Sequence, residues 1–178
     1  ITNPGDRCYR CKKILFSSLK DYSIANGYNV IADGSNADDA GEYRPGMKAL
    51  EELQIRSPLL EAGFTKKDIR SLLREYGLEI WNKPAYACLL TRIPHDNAVD
   101  TKTLYIIEEA ELYLKDLGFA GTRVRLHKDI ARLECQDHQF NLINEKETRL
   151  KISSRLKQLG IKYVTIDIEG YRTGSMDN

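Results

Sequence analysis

The stretch from Cys8 to Asp39 constrains the fold more than any other part of this 178-residue chain. Cys11, Leu15, Leu19 and Tyr22 recur at helical spacing across residues 8–26, and Gly27 supplies a stop. A short apolar run follows at 28–32, with Val30 and Ile31 at its centre, and reads as a buried strand. It empties into the polar loop Asp33-Gly34-Ser35-Asn36-Ala37-Asp38-Asp39. Helix, strand and polar loop in that order is the grammar of an α/β fold, and ligands of open α/β sheets bind beyond the carboxyl ends of strands.

The rest of the chain extends this grammar and then changes it. A helix is predicted from near Gly46 through Leu50 and Leu53, and a second short strand at 55–60. Thr65-Lys66-Lys67-Asp68 pairs a Thr N-cap with an acid at N3, close to a capping box, before a helix that stops at Gly77. Pro84 and Pro94 punctuate 81–94, which reads as a loop. From Thr101 the order becomes helix, strand, strand, helix, strand: a helix over 101–117, a hairpin of 123–127 and 130–135 around Lys128-Asp129, a helix over 141–159 and a strand over 161–168. A domain boundary is therefore expected near Asn97, giving domains 1–97 and 98–178.

Lys and Arg number 27 against 26 Asp and Glu, a net charge of +1, which argues against a generic nucleic-acid coat. No apolar run is long enough to cross a bilayer, so no membrane role is expected. Four cysteines in a chain this long do not suggest a secreted disulfide scaffold, and a reducing cytoplasm fits better. The first residue is Ile1, followed by a loop-like Thr2-Asn3-Pro4-Gly5, and an N-terminal part of the protein is expected to precede it.

Three of the cysteines carry the chemistry. Cys8 and Cys11 form a Cys-x-x-Cys pair at a helix start, on one helix face, among Arg7, Arg10, Lys12 and Lys13. Helix N-termini and cations favour thiolate. Cys88 lies far downstream between Lys83 and Arg92. Three thiolates can hold a cubane cluster and leave its fourth corner open. Zinc is the rival metal, but a structural zinc needs four ligands, and Cys11 or Cys88 can also be small buried hydrophobes. Cys135 alternates with Leu133 and Ala131 and reads as core.

Three further features are ambiguous from the residues alone. The 34–39 loop offers backbone N–H groups, an amide and carboxylates to a nucleotide or metal, yet its residues are also ordinary turn formers. Glu111 falls inside the apolar stripe of Leu104, Ile107, Leu114 and Leu117, so it is paired with an arginine, metal-bound, or at an interface edge. Arg123, Arg125 and His127 share one strand face, which suits a phosphate or plain solvent.

These residues together resemble the LarE family, ATP-dependent sulfur transferases of nickel-pincer nucleotide cofactor biosynthesis within the PP-loop ATP pyrophosphatase superfamily. The resemblance runs through Asn3-Pro4 and Arg7-Cys8-Tyr9-Arg10-Cys11-Lys12, Ala32-Asp33-Gly34-Ser35-Asn36-Ala37-Asp38-Asp39, Arg44-Pro45-Gly46, Arg56-Ser57-Pro58-Leu59, Trp81-Asn82-Lys83-Pro84-Ala85-Tyr86-Ala87-Cys88-Leu89, Arg92-Ile93-Pro94, Arg123-Val124-Arg125 and Gly170-Tyr171-Arg172-Thr173-Gly174-Ser175. It implies that 1–97 is the C-terminal portion of a Rossmann-like PP-loop domain, whose N-terminal Ser-Gly-Gly-x-Asp-Ser loop this sequence does not contain, and that 98–178 is a small α/β domain. It further implies ATP, Mg2+ and a pyridinium mononucleotide whose carboxylates are adenylylated and then converted to thiocarboxylates. Gly34, Ser35, Asn36 and Asp39 would help hold the nucleotide, Arg123 and Arg125 the substrate phosphate, and Glu111 a metal.

The family delivers sulfur in two ways. One sacrifices a cysteine at the Cys88 position. The other holds a [4Fe-4S] cluster on three cysteines, and the presence of Cys8, Cys11 and Cys88 here points to that type. A sulfide donor and a homo-oligomer are then the expected partners. A tRNA thiolase of the same superfamily and a zinc-stabilised binding module without catalysis are the alternative readings.

Overall fold

The computed structural model describes residues 2–41, 45–83, 87–172 and 175. Helices and strands mix as the sequence predicts, in an α/β protein of two compact units. One unit is Gly5–Lys83; the other joins Ile1–Pro4 to Pro84–Asn178.

In the first unit α1 (Arg7–Ala25) packs on α2 (Pro45–Glu52), followed by the short α3 (Pro58–Glu61) and α4 (Lys66–Glu75). The capping box that opens α4 is formed in full: the Thr65 hydroxyl accepts from the Asp68 N–H, and the Asp68 carboxylate accepts from the Thr65 N–H. Gly27 and Gly77 both take positive φ (77° and 67°) just beyond the helix ends they stop. Ala49, Leu50 and Ile55 are the buried apolar residues of this unit.

Helix α1 is oriented against the expectation for its apolar stripe. Leu15 is 51% exposed and Tyr22 66% exposed, and Cys8, Cys11 and Leu19 lie on the same outward stripe. The inward face is polar. Tyr9 and Lys13 both bond Glu52 of α2, Lys12 meets Asp33, and the Lys20 ammonium donates to the Leu53 carbonyl. Gly46 lets α2 approach closely, because a Cβ there would stand 3.0 Å from the Lys12 side chain.

Two predicted strands of this unit do not form. Residues 28–32 are largely exposed at Tyr28 and Val30, and their ladder is the single parallel bridge Ala32–Arg56 among the described residues. Arg56 alone supplies both bonds, donating to the Ile31 carbonyl and accepting from the Asp33 N–H. The run at 55–60 breaks because Pro58 stands at the first turn of α3.

The second unit has a three-stranded sheet in the order β1 (Arg123–His127), β2 (Ile130–Glu134), β3 (Tyr163–Ile166). The hairpin β1–β2 is antiparallel and β2–β3 parallel. Lys128 turns the hairpin at positive φ. α5 (Thr101–Asp116) and α7 (Lys146–Gln158) cover the sheet and close a core of Ala110, Leu114, Phe119, Val124, Ala131, Leu133, Cys135, Ile143, Ile152, Leu156 and Ile161. The helix expected over 141–159 is two, α6 (Phe140–Asn144) and α7, because Glu145 takes an extended ψ of 131°. Asn97 lies inside this unit, beyond Lys83, where the compact units divide.

The two environments predict opposite responses to truncation. Leu156→Ala removes a side chain with no exposure and should cost about 2–5 kcal/mol in urea denaturation. Leu15→Ala on the outward stripe should change stability by no more than about 0.5 kcal/mol.

Candidate functional site

Cys8 and Cys11 occupy the first turns of α1, three residues apart and both exposed. Arg10 pairs with Asp6, Lys12 with Asp33 and Lys13 with Glu52. The backbone that carries the thiol pair is therefore tied to two other segments of its unit, α2 and the loop that starts at Asp33.

Asp33 is the hub of that attachment. Its carboxylate accepts from the Ser57 hydroxyl at 2.6 Å and the Ser35 hydroxyl at 2.7 Å, and faces the Lys12 ammonium at 3.6 Å. Burial opposes its charge, but the hydrogen bonds from Ser57 and Ser35, with Lys12 beside them, outweigh it and hold the pKa below its usual value. The polar groups of the 34–39 loop that follows are bonded within the loop and to its neighbours. Asn36 accepts from the Asp38 N–H, the Asp39 carboxylate accepts from the Asn36 N–H, and the Leu60 N–H donates to the Ser35 carbonyl. Ser35 and Asn36 are buried, whereas Gly34 faces open space. The side chains of Ser35, Asn36 and Asp39 are thus occupied within the loop, and Gly34 presents backbone outward.

Cys88 belongs to the second unit, at the N-cap of a 3-10 turn (Leu89–Arg92), with its side chain exposed. Its carbonyl accepts from the Thr91 N–H at 2.9 Å, the Thr91 hydroxyl at 2.7 Å and Arg92 Nη1 at 3.4 Å. Arg92 is 1% exposed. Its Nε and Nη2 donate to the two oxygens of Glu111 at 2.7 and 3.0 Å. Glu111 also accepts from the Val124 N–H at 3.0 Å. Of the readings open for Glu111, the arginine pair is the one the geometry realises.

Arg125 is spent in the same way. Its Nε donates to Glu134 at 2.9 Å, Nη1 to the Thr91 carbonyl at 2.6 Å and Nη2 to the Ser175 hydroxyl at 3.0 Å. The Ser175 hydroxyl in turn donates to Glu134, which also pairs with Arg132. Arg123 is buried with its guanidinium over the Tyr171 ring. The arginine face of β1 is therefore an interior, not a solvated, face. His127 on the same face is only partly buried; burial lowers its pKa, with Arg132 and Arg125 adding to the effect and Glu134 opposing it. Cys135 is wholly buried and its thiol pKa is pushed up by burial, as a core cysteine requires.

Within each unit, no group of three or more His, Cys, Asp or Glu side chains among the described residues is arranged to hold a metal ion. Cys8, Cys11 and the 34–39 loop share the first unit; Cys88, Glu111, Arg123 and Arg125 share the second. Sequence reasoning missed Asn3, whose amide donates to the carbonyls of Leu90, Ile93 and Pro94. It also noted Arg92 only as a cation near Cys88. The available signal was a charge set in the apolar run Leu89-Leu90-Thr91-Arg92-Ile93, which calls for a buried partner.

A mixed α/β protein with an exposed thiol pair, a third exposed thiol held by buried ion pairs and a polar loop after an extended segment belongs among the thiol-bearing α/β proteins. Its relatives narrow this. It is 38% identical to the pyridinium-3,5-bisthiocarboxylic acid mononucleotide synthase of Lactiplantibacillus plantarum, over 99% of this chain and 63% of that protein. It is 37% identical to an uncharacterised protein of Synechocystis, over 98% of this chain and 65% of that protein, and 38% identical to an uncharacterised protein of Methanocaldococcus jannaschii, over 97% and 67%. The chain thus spans about two thirds of the length of the curated relatives it matches. No protein-family model matches it. Over nearly its whole length the chain is thus similar to that synthase and to the two uncharacterised proteins.

The depressed pKa of Asp33 sets a pH dependence. Its contribution to stability is present above the unfolded carboxylate pKa, about 3.9, and is lost as pH falls through the lower folded value. Asp33→Asn should therefore lower the thermal midpoint at pH 7 and flatten its decline between about pH 5 and pH 2. Thermal melts across that range, read by far-UV circular dichroism, check both effects.

Proposed function

We propose that this chain is part of a sulfur insertase that converts the carboxylates of a pyridinium mononucleotide to thiocarboxylates. The observation that carries the reading is the set of three exposed, unbridged thiols, Cys8, Cys11 and Cys88, in a chain similar to a pyridinium-3,5-bisthiocarboxylic acid mononucleotide synthase and with its fourth cysteine locked in the core. The reaction runs in two balanced steps. A substrate carboxylate oxygen attacks the α-phosphorus of ATP and releases pyrophosphate, giving an acyl adenylate. A sulfide then attacks the acyl carbon, the C–O bond to AMP breaks, and AMP leaves with the electron pair. ATP with Mg2+ drives the first step, and no redox change occurs at the substrate carbon.

A [4Fe-4S] cluster would take Cys8, Cys11 and Cys88 as its three sulfur ligands; none is in a disulfide, and Cys8 and Cys11 stand at i and i+3 on one helix face. When bound, such a cluster supplies an iron without a protein ligand and hence a replaceable sulfide. The protein's own residues hold the three thiols in place. α1 is fixed by Lys12–Asp33 and Lys13–Glu52, and the Cys88 peptide by Thr91 and Arg92. Gly34 offers backbone to the nucleotide from a loop whose side chains are already satisfied. The outward apolar stripe of α1 and the exposed 28–32 run are surfaces of the kind a neighbouring layer covers, which supports reading the Gly5–Lys83 unit as part of a larger PP-loop nucleotide-binding domain.

Protein purified without oxygen should take up about four iron and four sulfide per chain set on reconstitution. Cys8→Ala, Cys11→Ala and Cys88→Ala should each abolish the broad visible absorption, whereas Cys135→Ala should not. Intact mass after turnover is the second readout. Loss of the elements of hydrogen sulfide at Cys88, with no iron requirement, would replace cluster delivery with sacrificial delivery from Cys88.

A further inference from the structure

The environment of Cys88 combines an exposed thiol with a peptide that is held from within. Three donors converge on its carbonyl, two from Thr91 and one from Arg92. Arg92 Nη1 also donates to Thr91 Oγ1 at 2.7 Å and to the Ala87 carbonyl at 3.3 Å. The guanidinium is itself fixed by the bidentate bond to Glu111, the strong planar form of the arginine–carboxylate pair. Glu111 stands on α5 beside the buried residues Ile107, Ala110 and Leu114, and its second attachment is the Val124 N–H of β1. From the other side Arg125, anchored on Glu134, donates to the Thr91 carbonyl.

Nothing in this chain of contacts is needed merely to bury Cys88, whose side chain faces out. Each contact instead removes freedom from the backbone at 87–91. A reacting group gains from such restriction because its direction is set before the partner arrives, and small misplacements of a reacting atom are costly.

We propose that Glu111 is a positioning residue: acting through Arg92 and Thr91, it fixes the peptide of Cys88 and so the direction in which the thiol is presented. The proposal rests on the reading of Cys88 as a sulfur-delivery residue. It gives Glu111 a role that uses both carboxylate oxygens in protein contacts.

Two variants address it. Glu111→Gln removes the charge of the anchor, and Thr91→Val removes the hydroxyl relay while keeping side-chain shape and leaving the buried pair intact, so it remains informative should Glu111→Gln fail to fold. Thr91→Ser is the conservative rescue, and Glu109→Gln, whose pair with Arg155 lies elsewhere on α5, is the control. Initial rates of thiocarboxylate formation are followed over a range of substrate concentrations in the full-length protein, and iodoacetamide labelling of each cysteine is followed by peptide mass, with Cys8 and Cys11 as internal references.

Glu111→Gln and Thr91→Val should lower kcat by about tenfold with KM held within about twofold. Both should raise the labelling rate of Cys88 by about threefold while leaving Cys8 and Cys11 unchanged. Thr91→Ser and Glu109→Gln should behave as the unmodified protein. Wild-type kcat and wild-type Cys88 labelling in both variants would overturn the proposal, as would equal acceleration at all three thiols, which would report general loosening. Full activity in Cys88→Ala would overturn the sulfur-delivery reading itself. The labelling result separates the two failures, because it reads the clamp without turnover.

Discussion

The second unit is organised by two guanidinium–carboxylate pairs set where water is nearly excluded, Arg92 with Glu111 and Arg125 with Glu134. The first joins the 3-10 turn after Cys88 to α5, and the second crosses the β1–β2 hairpin. Burying four charges is expensive, and removing one member of such a pair leaves an uncompensated ion costing about 3–5 kcal/mol. The pairs are tolerable because their remaining donors and acceptors are also used, by Thr91, Val124, Ser175 and Arg132. The result is a chain segment with the exposed thiol of Cys88 at one end and an inflexible backbone beneath it.

The first unit reaches a comparable outcome by a different route. There the thiol-bearing helix is held through its polar face, with lysines and a tyrosine bonded to Glu52, Asp33 and a main-chain carbonyl. The aliphatic stems of those lysines can cover α2 while their ammonium groups find partners at its edge. This leaves the apolar stripe of α1, with Cys8 and Cys11 at its start, facing outward. Both units therefore hold a thiol-bearing segment through its backbone and polar neighbours and leave the sulfur itself accessible.

Local signals were read well where the chain itself contained all the parts. The Thr65–Asp68 capping box, the glycine stops at Gly27 and Gly77, the hairpin around Lys128 and the core position of Cys135 depend on neighbours a few residues away, and each is where its pattern predicts. The arginine partner of Glu111 was open in the sequence because a charge within an apolar stripe announces a partner without naming it. The misreadings share one cause. The apolar run at 28–32 has strand composition but, among the described residues, only Arg56 to pair with, and Glu145 divides a continuous helical pattern. The face of a helix that becomes buried is likewise decided by what packs on it, as α1 shows.

From its own order of residues the chain determines most of its helices and the β1–β2 hairpin, that it carries an α/β pattern, and which three cysteines stand in polar, basic surroundings; these follow from periodicity, turn chemistry and charge over short windows. Only the tertiary structure decided that Arg125 is spent on Glu134, Thr91 and Ser175, that Ser35 and Asn36 are turned into their own loop, and that Glu111 reaches Cys88 through Arg92. Hydrogen bonds and ion pairs between residues tens of positions apart depend on distances that no local pattern encodes. A side chain with capacity for several partners has its role settled by whichever of them the fold brings within about 3 Å.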